Sequence, residues 1–168
     1  MANTGKIKIK GYLTGVLLIV FCQVVYATDY SKVISEEYLR SQFTFKAGDT
    51  LKYSKCGKTS YPTCRYIWGA PNKKDETRIK YGQPPAGNKL MIVYAQASSK
   101  KDFERVLGTY KDAEKVEGLA SEAVWSNKRR QLSMITDNNL IIHINIEDKS
   151  TADLKGKAIS IAQHIIDQ

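Results

Sequence analysis

The chain has 168 residues, with 26 Lys or Arg against 17 Asp or Glu and a formal net charge of +9. This length suits one ordinary domain with a buried core, so we do not expect a multidomain protein. The sequence contains no metalloprotease His-Glu-x-x-His motif, phosphate loop, nucleophile elbow or dinucleotide-binding fingerprint. We therefore expect a noncatalytic protein that uses no cofactor.

Residues 1–27 have the three parts of a secretory signal peptide. Lys6, Lys8 and Lys10 form the cationic part, residues 12–27 are largely apolar, and small side chains end the run. The run is shorter than the roughly 20 residues that span a bilayer, and Gln23 interrupts it. We predict cleavage after Ala27, leaving residues 28–168 as a single periplasmic or secreted domain without a transmembrane segment. A retained membrane anchor is the alternative.

Two cysteines remain after the signal is removed, Cys56 and Cys64. Disulfides persist in exported proteins, so we expect these two residues to pair. A metal site with His143 or His164 is the alternative, but the cysteines lack the Cys-x-x-Cys spacing that such sites favour. Cys22 could mark a lipoprotein, yet bulky Phe21 stands where a lipobox has a small residue.

Several elements are predicted in the first half of the mature chain. Ser35 can cap a short helix. Alternating apolar residues predict strands around Leu51 and Tyr53 and around Tyr66 and Trp68. Residues 72–88 are polar and contain prolines and glycine, which predicts a loop with an edge strand at 78–81.

The next two elements are a strand and a helix. Residues 90–97 form a short apolar run, typical of a central strand that is covered on both faces. Phe103, Val106, Leu107 and Tyr110 follow the spacing of one helix face, and Ser99 can cap that helix.

The last third predicts a meander and a closing helix. Strands at 123–125, 132–136 and 140–146 are joined by turns at 127–130 and 137–139. In the last strand, alternate residues from Leu140 to Ile146 are apolar, and His143 lies on the polar side. A helix beginning at Ser150 or Thr151 follows, with Asp153 in its first turn and an inward stripe formed by Leu154, Ala158, Ile161, Ala162 and Ile165. The predicted fold class is α+β: an antiparallel sheet with a C-terminal three-stranded meander, packed by a central helix and a C-terminal helix.

Part of this pattern is shared with a known family. Residues 118–123 read Gly-Leu-Ala-Ser-Glu-Ala, a meander and an Ala/Ile-rich helix follow, and Cys64, Tyr66 and Trp68 precede an apolar strand. The chain resembles small exported bacterial proteins with a PsbP-like α+β fold. Several of those families have Gly and Asp where this sequence has Ala120 and Ser121. The resemblance implies a fold and an exported location, and no reaction.

The positive charge of the predicted mature chain is concentrated in residues 46–80. This segment holds nine basic and three acidic residues, and its net charge of +6 equals that of the whole mature chain. Tyr and Trp residues interleave with the cations, a mixture that can bind anionic partners. The candidate binding residues are Lys52, Lys55, Lys58, Arg65, Lys73, Lys74, Arg78 and Lys80. The alternative is that Tyr66 and Trp68 fill the core and the lysines keep a loop soluble.

The leading functional hypothesis is an exported binding or accessory protein for an acidic protein, an anionic envelope polymer or a lipid headgroup. Nucleic acid is not expected as its partner in vivo. An inhibitor or immunity-type protein for an exported enzyme is the second hypothesis. The third is a hydrolase that uses His143 with Glu147, although a solvent-facing histidine explains that position more simply. Residues 128–130 form a second basic cluster, for which solubility is the first explanation.

Overall fold

The structure is a computed structural model that describes residues 29–57, 60–69 and 73–168. The predicted signal peptide and Lys58 lie outside these residues. No helix in the described ranges is long and apolar enough to cross a membrane.

An antiparallel sheet organises the described part of the chain. It contains seven strands in the spatial order β1-β2-β3-β7-β6-β5-β4. The strands are β1 Thr50–Cys56, β2 Thr63–Gly69, β3 Asn88–Gln96, β4 Ala113–Lys115, β5 Glu122–Ser126, β6 Gln131–Ile135 and β7 Leu140–Glu147. A 3₁₀ turn, Tyr30–Lys32, precedes four α-helices: α1 Glu36–Gln42, α2 Lys73–Lys80, α3 Lys100–Leu107 and α4 Leu154–Ile166. The predicted α+β class and the meander formed by β5, β6 and β7 are confirmed.

One face of the sheet, here called the covered face, carries the main core. Ala158, Ile161 and Ala162 of α4 are buried there, together with strand residues such as Trp68 and Ile144. The inward stripe predicted for α4 is therefore confirmed. Leu39 of α1 joins the same cluster, because the helix capped by Ser35 turns this leucine inward.

The opposite face, here called the open face, is only partly covered. Phe103 of α3 packs on Ile135 and Ile141, with Ala95 beside them. α3 has eight residues and is about 12 Å long, whereas the nine residues of β3 extend for about 30 Å. Met91 and Val93 consequently stay half-buried. The predicted central position of this strand is confirmed, but its open face is covered only in part.

The segment predicted as a loop with an edge strand contains α2 instead. Asp75, in its first turn, accepts hydrogen bonds from Lys52 Nζ at 2.7 Å and from the Ala86 backbone N–H at 2.8 Å. These contacts join α2 to β1 and to the loop before β3. A helix anchored by polar contacts of this kind needs no apolar stripe, which explains why hydrophobic periodicity missed it.

Other differences concern the ends of elements. α3 ends at Leu107, so Tyr110 lies beyond the helix, although it is still buried. α4 begins later than predicted, because the Asp153 side chain is its N-cap and accepts the Gly156 N–H. Ser150 and Thr151 instead donate to the carboxylate of Asp148. The short edge strand β4 had no alternating apolar pattern to reveal it, since all three residues are exposed.

Cys56 and Cys64 form the predicted disulfide. The two residues face each other across the β1–β2 ladder, with their Cα atoms 3.9 Å apart. The next pair in this ladder is Lys55 with Arg65. The disulfide therefore fixes the register that places these two basic residues side by side.

Replacing both cysteines by alanine should lower the free energy of unfolding by about 2.5 kcal/mol, because the bond restricts the unfolded chain. Urea unfolding of the oxidised wild type and of the Cys56→Ala/Cys64→Ala variant measures this difference. A reductant should destabilise the wild type and leave the variant unchanged. Equal stability of the oxidised wild type and the variant would show that the bond does not contribute.

Candidate functional site

A row of four paired residues crosses the open face of the sheet. Lys55 on β1 is opposite Arg65 on β2, Arg65 is opposite Met91 on β3, and Met91 is opposite Asn145 on β7. Directly paired residues of antiparallel strands share a face, and strands lie about 4.8 Å apart, so the row spans about 14 Å. Lys55 and Arg65 are exposed, whereas Met91 and Asn145 are half-buried.

The second basic cluster lies at the far end of this row. The Asn145 side-chain amide donates to the backbone oxygens of Arg129 at 2.7 Å and Arg130 at 3.3 Å. The Arg129 guanidinium lies over the Tyr110 ring, 4.5 Å from its centroid. We call Lys55, Arg65, Met91, Asn145 and Arg129 the basic row. It joins two clusters that are far apart in the sequence.

The cations of the basic row are not neutralised by nearby carboxylates. Within the described residues, Lys55, Arg65 and Arg129 have no acidic partner at ion-pair distance. Lys89, on the same face, does have one, because Glu147 across the β3–β7 ladder lies 2.7 Å from its ammonium. The basic row therefore presents three unpaired positive charges.

Lys52 is one of the predicted binding residues, but its contacts give it a structural role. Its ammonium is 2.7 Å from Asp75 and donates to the Ala86 carbonyl at 3.0 Å. Only 9% of the Lys52 side chain and 7% of the Asp75 side chain are exposed. This ion pair lowers the pKa of Asp75, with the hydrogen bond from Lys52 as the largest cause. Lys52 thus ties β1 to α2 and is not accessible to a partner.

The other predicted cations are divided among several places. Lys55 and Arg65 lie in the basic row, whereas Arg78 and Lys80 are exposed at the end of α2. The Nε of Arg78 donates to the Pro84 carbonyl at 2.9 Å. The remaining members are Lys73 and Lys74, which lie in the first turn of α2 with side chains outside the described part, and Lys58, which lies between the described ranges.

The aromatic residues in and next to the basic segment, residues 46–80, lie in different environments. Tyr66 and Trp68 are fully buried on the covered face, as the alternative interpretation predicted, and cannot stack on a ligand. Burial raises the pKa of Tyr66 to about 12. Tyr61 and Tyr81 are exposed, at 61% and 73%. The aromatic ring that contributes to the basic row is Tyr110, from outside the segment.

His143 lies beside the basic row on the open face and is half-buried, not solvent-facing as predicted. Its Nδ1 is 2.8 Å from the Ser133 hydroxyl and 3.3 Å from the Gln131 amide nitrogen. The Tyr110 hydroxyl completes this network, 3.2 Å from Ser133 Oγ. Burial lowers the pKa of His143 to about 4, so the ring is uncharged at neutral pH. The network supports Tyr110 beneath Arg129.

The arrangement does not bring His143 and Glu147 together. Four residues along a strand separate their Cα atoms by about 13 Å, and Glu147 is paired with Lys89. Ser133, the hydroxyl that does contact His143, is completely buried. A nucleophile must reach its substrate, so this serine has the geometry of a structural group.

His164 has a different environment, in the last turn of α4. Its Nε2 is 3.1 Å from the Val33 carbonyl, and its ring stacks on Tyr38 at 3.8 Å between centroids. No group of three or more His, Cys, Asp or Glu residues in the described ranges is arranged to hold a metal ion.

Comparisons with protein-family models, with curated proteins and with solved structures give no significant match to this chain. The PsbP-like resemblance therefore stays a prediction from the sequence.

The burial of His143 predicts a pH dependence of stability. Its pKa is near 4 when folded and about 6.5 when unfolded, so protons bind preferentially to the unfolded chain as the pH falls through this window. Between pH 7 and pH 5 the free energy of unfolding should fall by about 2 kcal/mol from this residue. Urea unfolding at the two pH values measures the loss.

The His143→Gln variant should lack this decrease, whereas His164→Gln should retain it. The carboxylates with lowered pKa values, such as Asp75 and Asp112, stay ionised at pH 5 and do not add to the effect. An unchanged pH dependence in His143→Gln would disprove the assignment.

Proposed function

We propose that this chain is an exported, noncatalytic binding protein whose basic row contacts an acidic partner protein. The observation that carries the proposal is the cross-strand placement of Lys55 and Arg65 in line with Arg129. Among the described residues, no carboxylate lies at ion-pair distance from any of these three cations. Unpaired cations on one surface attract an acidic partner and orient its approach.

The surroundings of these cations favour a protein partner over a flexible polymer. Met91 and Val93 are half-buried between the charged ends, and His143 and Asn145 add uncharged polar groups. A small apolar centre with a polar, charged rim is typical of protein–protein interfaces. Methionine and arginine are also enriched in such interfaces. An anionic envelope polymer would use the cations but gain little from this centre.

Export is supported by the disulfide as well as by the N-terminal sequence. Cys56 and Cys64 are bonded, and such bonds persist in oxidising compartments. An acidic partner would then be met in the periplasm or outside the cell. If that partner is an enzyme, the same surface would serve an inhibitor or immunity-type role.

The Lys55→Glu/Arg65→Glu variant tests the basic row. Immobilised poly-glutamate serves as the acidic polypeptide probe, and binding is measured at rising salt concentration. We expect the double reversal to weaken binding by at least about tenfold, because it replaces two positive charges by two negative charges at one end of the contact surface. Circular dichroism of each variant reports whether the fold is retained.

The matched control is Arg78→Glu/Lys80→Glu, which changes the net charge equally at two exposed positions on α2. It should weaken binding about twofold or less. Equal losses in both variants would mean nonspecific attraction by net charge and would reject the proposal. Stronger binding to a sulfated polysaccharide or to anionic lipid vesicles than to poly-glutamate would replace the protein partner with that class.

Arg129 gives an independent prediction. Its guanidinium is held over Tyr110, so Arg129→Ala should weaken poly-glutamate binding about fivefold. Arg129→Lys should restore little of this binding. An ammonium lacks the planar group that stacks on the ring and forms two parallel hydrogen bonds to one carboxylate. Lys128→Ala, in the same turn, is the control and should have a smaller effect. Wild-type poly-glutamate binding by Arg129→Lys would show that charge alone matters at this position.

A further inference from the structure

A cavity of about 680 Å³ opens on the covered face, away from the basic row. Tyr94, Leu140 and Ile142 line it from the sheet, and Tyr94 and Ile142 are paired across the β3–β7 ladder. Tyr30 and Ile165 line it from the N-terminal segment and from α4. Sites for small molecules have volumes of about 300–1,000 Å³ and mostly apolar walls, so this cavity has the size and lining of such a site.

Specific contacts join the walls of the cavity to one another. The Tyr30 ring stacks on Tyr94, with 3.8 Å between centroids. The Val33 carbonyl lies 3.1 Å from His164 Nε2 and accepts a hydrogen bond from Gln168 Nε2, also at 3.1 Å, which joins the N-terminal segment to the end of α4. These contacts fix the N-terminal segment against the sheet and against α4, and the cavity lies between these three elements.

The rim of the cavity is more acidic than basic. Asp29 and Asp137 contribute carboxylates, and Lys32 contributes one ammonium. Hydrogen bonds from the Ser31 hydroxyl and backbone lower the pKa of Asp29, and Asp137 accepts a hydrogen bond from the Ser121 hydroxyl. The Asp29–Lys32 pair is 3.6 Å apart and largely exposed, so it neutralises Asp29 only weakly. The rim thus has the opposite sign to the basic row.

We propose that this cavity binds a small amphipathic molecule whose apolar body lies on Leu140, Ile165 and Ile166, which are half-buried or exposed, and whose cationic head lies beside Asp29 and Asp137. The site is separate from the basic row, so a bound molecule and an acidic protein partner could be held at the same time.

Two probes with the same tail and opposite heads test the site: decyltrimethylammonium and decyl sulfate, both below the concentration at which they form micelles. Methyl NMR titration of the purified protein follows Leu140, Ile142 and Ile165. We expect saturable shifts of these methyl groups with decyltrimethylammonium, at an affinity about fivefold or more above that of decyl sulfate. Shifts at Met91 and Val93 instead would place binding on the open face and overturn the proposal.

Variants separate the roles of the apolar walls and the rim. Leu140→Trp fills part of the cavity from a half-buried position and should lower the affinity for decyltrimethylammonium about tenfold. Asp29→Asn/Asp137→Asn keeps the shape of the rim and should lower the affinity for decyltrimethylammonium about threefold or more. The affinity for decyl sulfate should not fall in this variant. Glu117→Gln removes an exposed carboxylate elsewhere and should have no effect.

The outcomes distinguish this site from the proposed protein interface. Lys55→Glu/Arg65→Glu should leave the decyltrimethylammonium titration unchanged, whatever its effect on poly-glutamate. Absence of saturable methyl shifts would reject the cavity as a binding site. Equal affinities for the two probes, or an unchanged affinity in the Asn variant, would reject the cationic head group.

Discussion

The pairing register of β1, β2 and β3 is the constraint on which both faces of the molecule depend. In an antiparallel ladder, a slip of one residue exchanges the two faces of a strand. Tyr66 and Trp68 point into the core, so Arg65 and Ile67, which alternate with them along the strand, point to the open face. A slipped β2 would bury a guanidinium and expose two large aromatic rings. Burial of those rings favours the observed register, and the Cys56–Cys64 bond reinforces it. The same register places the cations on the open face.

The two faces differ because two helices of unequal length cover them. α4 has thirteen residues and places small side chains, Ala158 and Ala162, close to the sheet. α3 has eight residues and covers only the end of the open face near Phe103. The uncovered remainder includes Met91, Val93 and Asn145, which carry no charge and stay half-buried. The cations lie at its two ends, where their side chains reach water. An uncharged, partly uncovered middle with charged ends gives the open face the character of a contact surface.

The elements that could be predicted from the sequence are those whose own hydrophobic periodicity determines them. The alternation in β7 and the stripe of α4 depend on periodicity alone, and both were predicted. α2 was missed because its anchor is the long-range contact of Asp75 with Lys52 and Ala86. The basic row could not be assembled from the sequence either. Its continuity requires β7 to lie between β3 and β6, and only the strand order brings Asn145 and the turn at Arg129 next to the strands that carry Lys55 and Arg65.

Lys52 and Lys55 show why composition alone could not select the site residues. Strict alternation from Leu51 would direct Lys55 to the covered face, where Leu51 is paired with Trp68. The ladder instead shifts between Leu51 and Tyr53, so that Lys52 is an extra residue and Lys55 becomes the partner of Arg65. Such a bulge redirects side chains and is common in edge strands. It sends Lys52 to Asp75, whose carboxylate offsets the cost of burying the ammonium. One inserted residue thus makes one lysine structural and leaves the other available to a partner.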